Sequence, residues 1–192
     1  MGEIHNQGIV HHSITPDTIL CNESGNRLKL NGFGAYGLLS RVKEEIYDPW
    51  VIRHLLPYMA PEQTGRMNYT VDYRADLYAL GIIFYELLTG KVPFISDDPI
   101  EIIHSHIARQ PTPPAEKKPD VPPALSEIVM KLLSKTVENR YQSGYGLMSD
   151  LEDCTRQLQQ NGEIRPLKLA RHDRAIGLRL TKRLFGRETE IE

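Results

Sequence analysis

YRADLYALGIIFYELLTG, residues 73–90, is the stretch that decides the fold. Its apolar residues Leu77, Leu80, Ile82, Ile83, Phe84, Leu87 and Leu88 fall on every side of a helix instead of one stripe. A helix with no wet face lies inside a domain. Gly90 is its natural stop, because glycine takes the left-handed conformation that ends a helix at little steric cost. Asp76 brings a charge into this company, and a carboxylate among such neighbours has to be paired or hydrogen-bonded. The run Leu77 to Leu88 is too short to cross a bilayer and contains Glu86, so it predicts a core helix and no membrane insertion.

Working outward toward the N-terminus, Thr18 to Cys21 is short, apolar and β-prone. A turn cluster, Asn22 to Asn26, separates it from Leu28-Lys-Leu30, which is a hairpin signal. Residues 35–57 have no clean period and read as a long loop. On the other side, Asp98 is placed to N-cap a helix with Pro99 in its first position. Ile100, Ile103 and Ile107 then form a stripe. A Pro-rich loop runs from Pro111 to Pro123, and two more helices are predicted over about 124–135 and 144–160. The expected fold is therefore mainly α with a small β-hairpin. Asn161-Gly162 closes the last helix, so a domain over 1–160 is followed by a linker or tail over 161–192. In that tail Leu167 to Leu184 has the makings of another helix, with Arg171, Arg174, Arg179, Lys182, Arg183 and Arg187 as its solvated face.

Composition narrows the function classes. Hydrophobic residues are 40% and charged residues 25%, as in an ordinary globular protein. A formal net charge of -2 supplies no basic field for nucleic acid and no polybasic membrane patch. Cys21 and Cys154 are far apart and in no CxxC pattern, which points away from metal sites and disulfides and toward the cytoplasm. The start, MGEIHNQGIV, has neither a basic opening nor an apolar run, so no secretory leader is expected, and Asn6 breaks the myristoylation pattern. His104 and His106 point to different helix faces, which does not favour a metal pair. Tyr69, Tyr73, Tyr78 and Tyr85 read as core and loop aromatics. His11, His12 and Ser13 are adjacent with no acid to orient a histidine, so a serine hydrolase is not expected.

Six local strings in order resemble a protein kinase domain. Ile9 to Leu20 (IVHHSITPDTIL) is similar to the catalytic loop and the strand after it, and Lys29-Leu-Asn-Gly32-Phe33-Gly34 to the approach to D-F-G. Tyr58-Met-Ala60-Pro61-Glu62 holds an intact A-P-E. Arg74 to Gly81 resembles the start of the family's central helix, Leu88 to Phe94 its end, and Glu138-Asn-Arg140-Tyr141 the arginine before the last helix. The resemblance covers roughly residues 5–157. It implies the C-terminal lobe of a protein-kinase-like fold, with the N-lobe, its Gly-rich loop and its strand lysine absent.

The resemblance also implies what is missing. Phosphoryl transfer depends on positioned charge. Ser13 stands where the family has its catalytic Asp, Thr15 at its lysine, Thr18 at its metal-binding Asn and Gly32 at the D-F-G Asp. None offers the carboxylate or amide oxygen that Mg2+ and the attacking hydroxyl need. Leu55 replaces a threonine, and His12 the arginine that would pair with a phosphate at Ser40 or Tyr47. The residues that the resemblance assigns to structure are present: His11, Phe33, Gly34, Pro61, Glu62, Asp76 and Arg140. By this likeness Asp76 holds the catalytic-loop backbone and Glu62 pairs with Arg140. No cofactor is expected on this chain, although the family uses ATP and Mg2+.

Leu184-Phe-Gly186-Arg-Glu188-x-Glu190 resembles the lead-in to a P-loop ATPase module. Kinase-like domains precede such modules at the N-terminus of large hybrid sensor histidine kinases. The reading is thus a kinase-like, catalytically inactive scaffold or regulatory module in signal transduction, whose partners are neighbouring domains or a protein client. Two alternatives are an active ATP-dependent Ser/Thr kinase domain when joined to its N-lobe, and a truncated fragment with no role of its own.

Overall fold

The computed structural model describes residues 1–25, 27–33, 54–67 and 70–175. Gly34, Ser40, Tyr47, Tyr69, most of the loop over 35–57 and the cations from Arg179 onward lie outside the described residues. The described part is mainly helical with one two-stranded antiparallel sheet. A five-residue helix α1 (Gly2–Asn6) leads into the irregular stretch before β1 (Ile19–Cys21) and β2 (Leu28–Leu30). Ile19 pairs with Leu30, Leu20 with Lys29 and Cys21 with Leu28. There follow α2 (Arg74–Thr89), α3 (Pro99–Ala108), α4 (Pro114–Lys117), α5 (Pro123–Leu132) and α6 (Gly144–Asn161).

Helix α2 is enclosed over most of its length, but the expectation of no wet face fails at Leu87, which is 76% exposed near the C-terminal end. Tyr78, Ile82 and Tyr85 pack with Ala60, Val129 and Leu133. Leu77 packs with Ala124, Ile128, Leu132, Tyr141 and Leu147, and Ala79 and Ile83 pack with Ile14 under the hairpin. Fully burying one such aliphatic side chain is worth about 1.5–3 kcal/mol. Gly81 is where α5 crosses closest: a β-carbon there would lie 2.7 Å from that of Leu132. Gly90 ends the helix at φ 84°, its N–H donating to Glu86 O at 2.7 Å.

Several expectations need correction. In α3 Ile103 and Ile107 of the expected stripe do pack, joined by Ile102 against Leu56, and His106 is buried as well, but Ile100 at the N-terminal end is exposed. Asp98 does cap it, its Oδ1 accepting the Ile100 N–H at 2.9 Å. The Pro-rich loop contains the one-turn helix α4, and α5 stops at Leu132. Among the described residues no helix starts at Leu167: 164–168 and 173–175 are irregular and 169–172 are turned, with Ile164, Leu167, Leu169 and Ala170 packed on the α5–α6 side of the core, while residues 176–184 of the expected helix lie outside the described residues. Cys21 is exposed and Cys154 buried, both as free thiols. Among the described residues no helix is long and apolar enough to cross a membrane.

His106 gives the fold a measurable pH dependence. Its Nδ1 lies 3.0 Å from the Tyr78 hydroxyl, which donates to it. Burial, with the Lys135 charge adding, pushes His106 down to about 3. The unfolded chain would take up that proton near 6.5. Stability therefore falls as pH drops through 6.5 toward 3. In urea unfolding at pH 7 and 5, His106→Asn, which keeps an acceptor for Tyr78, is expected to remove about 1–2 kcal/mol of the acid-side loss.

Candidate functional site

The site is built on the stretch between α1 and β1. His12 sits at φ 67°, in the left-handed region. That conformation costs a non-glycine residue roughly 1 kcal/mol or more, so something has to hold it. Asp76, 1% exposed on the first turn of α2, does so. Its Oδ2 accepts the His11 N–H and its Oδ1 the His12 N–H, each at 2.8 Å. His5 Nε2 approaches the same Oδ2 at 3.0 Å from α1. Gln63 adds a clamp on the other side: its amide donates to His12 O at 2.7 Å and its carbonyl accepts the Ala60 N–H at 2.9 Å.

His11 is fully buried, and its ring centroid lies 4.5 Å from that of Phe33. Its Nε2 donates to Asn31 O at 2.7 Å, which leaves Nδ1 as an acceptor. The Ser13 N–H reaches that nitrogen at 3.3 Å and the Ser13 hydroxyl at 3.5 Å. Ser13 and His11 therefore do face each other, which their adjacency in the sequence did not suggest. The hydroxyl contact is at the outer limit of a hydrogen bond, and the imidazole lone pair is already shared with the backbone. The adjoining cavity, lined by His12, Ser13, Thr15, Leu55, Tyr58 and Gln63 among others, has about 20 Å³, room for a water molecule and too little for an acyl substrate.

Thr18 and Gly32 are engaged differently. The Thr18 hydroxyl donates to Thr15 O at 2.8 Å and accepts the Thr15 N–H at 3.0 Å. It staples the 3₁₀ turn Pro16–Thr18. Gly32 has φ 84°, and a β-carbon on it would lie 3.3 Å from Thr18 Cγ2. Leu55 packs against the cluster of Leu56, Ile102 and Ile103. Among the described residues no group of three or more His, Cys, Asp or Glu side chains is placed to hold a metal ion. At the rim, Asp17 and His54 make an exposed contact of 3.0 Å.

A second cluster braces the site from below. Arg140 and Glu62 are 1% and 2% exposed and meet through two bonds, 2.6 and 2.8 Å. The guanidinium also donates to the carbonyls of Ser134, Arg74 and Lys135, and lies 4.9 Å over the Tyr78 ring. Pro61 starts the 3₁₀ turn that presents Glu62. The Tyr58 hydroxyl, on the preceding turn, donates to Glu86 at 2.7 Å; burial and that carboxylate push the phenol well above its ordinary value.

Asp76, His11, His12 and Ser13 thus come together at one site, with Thr15 and Thr18 beside it and Gly32 and Phe33 across from it. Sequence reasoning missed His5, Gln63 and the Tyr58–Glu86 bond. A five-residue helix is too short to display the periodicity that would have marked His5 as buried.

Comparison with known proteins agrees with this architecture. The family model described as a protein kinase domain matches residues 1–151. A serine/threonine-protein kinase PknB of Mycolicibacterium smegmatis is 35% identical over 147 residues, which is 77% of this chain and 23% of that protein. Hybrid signal transduction histidine kinase G of Dictyostelium discoideum is 53% identical over 95 residues, 50% of this chain and 3% of that protein. Histidine protein kinase 1 of Candida albicans is 36% identical over 153 residues, 77% of this chain and 6% of that protein. The chain thus spans less than a quarter of the length of these relatives.

Proposed function

The chain belongs to the protein kinase domain family, and from that premise we propose that it is the C-terminal lobe of such a domain, kept as a scaffold or regulatory module without phosphoryl-transfer activity. The observation that carries this reading is the division of labour around Asp76. Asp76 holds the backbone of His11 and His12 in place, yet the loop it holds presents Ser13, Thr15 and Thr18. A serine beside a histidine whose lone pair is shared cannot orient an attacking hydroxyl as a carboxylate does.

The residues present do not fit a magnesium–nucleotide. The Thr18 hydroxyl is committed to Thr15 on both its donor and acceptor sides. A side chain grafted on Gly32 would press on the Thr18 methyl. Restoring one position alone is therefore not expected to restore a metal site. In this reading Glu62, Arg140, Pro61, His11 and Phe33 hold the lobe, and its partners are neighbouring domains of a multidomain signalling protein. The names of the two histidine kinase relatives motivate that last point.

Phosphoryl transfer to a generic protein substrate with ATP and Mg2+, compared with Ser13→Ala, tests the reading. Neither protein is expected to show incorporation above a no-enzyme control. Activity that is lost in Ser13→Ala would overturn it and favour an active kinase domain, as the name of the PknB relative would suggest.

A further inference from the structure

The stretch after α6 carries an inference beyond the kinase family, whose model stops at residue 151. Gly162, at φ 72°, ends α6 and reverses the chain. The Arg165 N–H donates to Gln157 Oε1 at 2.9 Å as the chain turns back. Ile164, Leu167, Leu169 and Ala170 then lie half-buried against the cluster of Leu77, Ala124, Ile128, Leu132, Tyr141, Leu147 and Cys154. Glu163, Arg165, Lys168, Arg171, His172 and Arg174 all face solvent. An irregular segment that puts its apolar residues against a groove and its charges outward has the pattern of a bound peptide.

Two carboxylates fasten it. Asp150, 4% exposed on α6, accepts the Ala170 N–H at 2.8 Å and the Tyr141 hydroxyl at 2.6 Å. Ala170 has φ 59°, a conformation an alanine adopts only when its surroundings hold it there. Three residues on, Asp173 accepts the Gln142 N–H at 2.6 Å and the Ser143 hydroxyl at 2.8 Å. Ser143 is the N-cap of α6, its hydroxyl also accepting the Gly146 N–H at 3.0 Å, so Asp173 closes on the positive end of that helix. Gly146 leaves the space: any β-carbon there would collide with the Asp173 carboxylate.

The docked segment is also wired to the site. The Gln142 side chain accepts from Arg74 Nη1 at 2.8 Å, and the Arg74 carbonyl accepts from Arg140 at 3.2 Å. Arg74 begins α2, the helix that carries Asp76.

We propose that residues 164–173 are a docking strap, a peptide carried on the same chain that binds the groove between α5 and α6, latches through Asp173, and opens as its own unit. What the groove recognises is a short segment with spaced aliphatic residues followed by an aspartate. The strap fastens whatever follows residue 175 to the helical body, and Gln142 and Arg74 place its latch one side chain away from α2. The cluster beneath it, from Leu77 to Cys154, is made of fully buried residues, whereas the strap's own apolar residues are only partly buried, which is why it opens before that core does.

Hydrogen exchange on the intact chain, followed by mass spectrometry, tests this. In the unmodified chain the amides of residues 167–173 and of Gln142 are expected to be protected, but less than those of α2. Asp173→Ala is expected to speed exchange of both sets at least about tenfold while α2 is unchanged. Adding a synthetic peptide of residues 163–175 to the variant should restore protection at Gln142, and a peptide carrying the same Ala should not. The proposal is overturned if the strap amides exchange as freely as an unstructured peptide in the unmodified chain. It is equally overturned if strap and α2 accelerate by the same factor, because the segment would then be part of the global folding unit.

Discussion

Arg140→Ala is expected to cost about 3–5 kcal/mol of unfolding free energy, because it leaves a buried carboxylate without its partner. Glu62 is 2% exposed, so no water is at hand to replace the guanidinium. The loss extends beyond the ion pair: the carbonyls of Ser134, Arg74 and Lys135 each lose a donor, and Tyr78 loses the cation over its ring. For a chain of this size the drop corresponds to a Tm lower by roughly 10 °C. Arg140→Lys should recover little of it, since a single ammonium cannot reach both oxygens of Glu62 and three carbonyls from one position. Denaturant unfolding of the two variants checks this, with an unchanged slope expected and only the midpoint moving. A loss under about 1 kcal/mol for Arg140→Ala would mean that water reaches Glu62 and that the pair is not closed as described.

Asp76→Ala is expected to cost about 3 kcal/mol or more, through a different route. Two backbone N–H groups, His11 and His12, lose their acceptor at once, and each buried unpaired donor costs roughly 1–3 kcal/mol. His12 also loses what keeps it at φ 67°, so the loop is expected to relax and to release Ser13 and Gln63 from their present places. Asp76→Asn separates the two effects. Its single carbonyl can accept one N–H, but its amide then faces the other donor, so it should fall between the wild type and the alanine variant. Amide exchange at His11 and His12 is the specific readout, because a general loss of stability would move α2 amides equally.

The sequence made some of this legible and hid the rest for physical reasons. α2 was readable because a helix apolar on nearly every side belongs in a core, and its Gly90 stop is a local signal; exposed Leu87 is the exception. Asp76 stood out as a charge that such a helix must satisfy. The partners it found were less accessible: the backbone N–H groups of His11 and His12 came through the family resemblance, and His5 not at all. The stripe in α3 held at Ile103 and Ile107 and failed at Ile100, because the neighbour Leu56 is met by Ile102 and Ile103. The strap was misread as a helix. Leu167 and Leu169, two residues apart, fall on different faces of a helix, and through residue 175 the segment is irregular and held by the carboxylates of Asp150 and Asp173.

Gly32 shows why positions are better read in pairs. By the family resemblance it stands where a carboxylate is expected. In the fold it is paired with Thr18, whose methyl lies against the position a new side chain would take. Gly32 and Thr18 accommodate each other, as do Ser13 and the lone pair of His11.

The measurement closest to the central claim is a thermal-shift titration of the intact chain with ATP and Mg2+. If the loop is held by Asp76 but offers no metal or phosphate ligands, no binding is expected with a Kd at or below about 1 mM. Stabilisation at 1 mM nucleotide then stays under about 0.4 kcal/mol, a Tm change of roughly 1 °C. A shift of several degrees that needs both ATP and Mg2+, and that disappears in Thr18→Ala, would contradict the account.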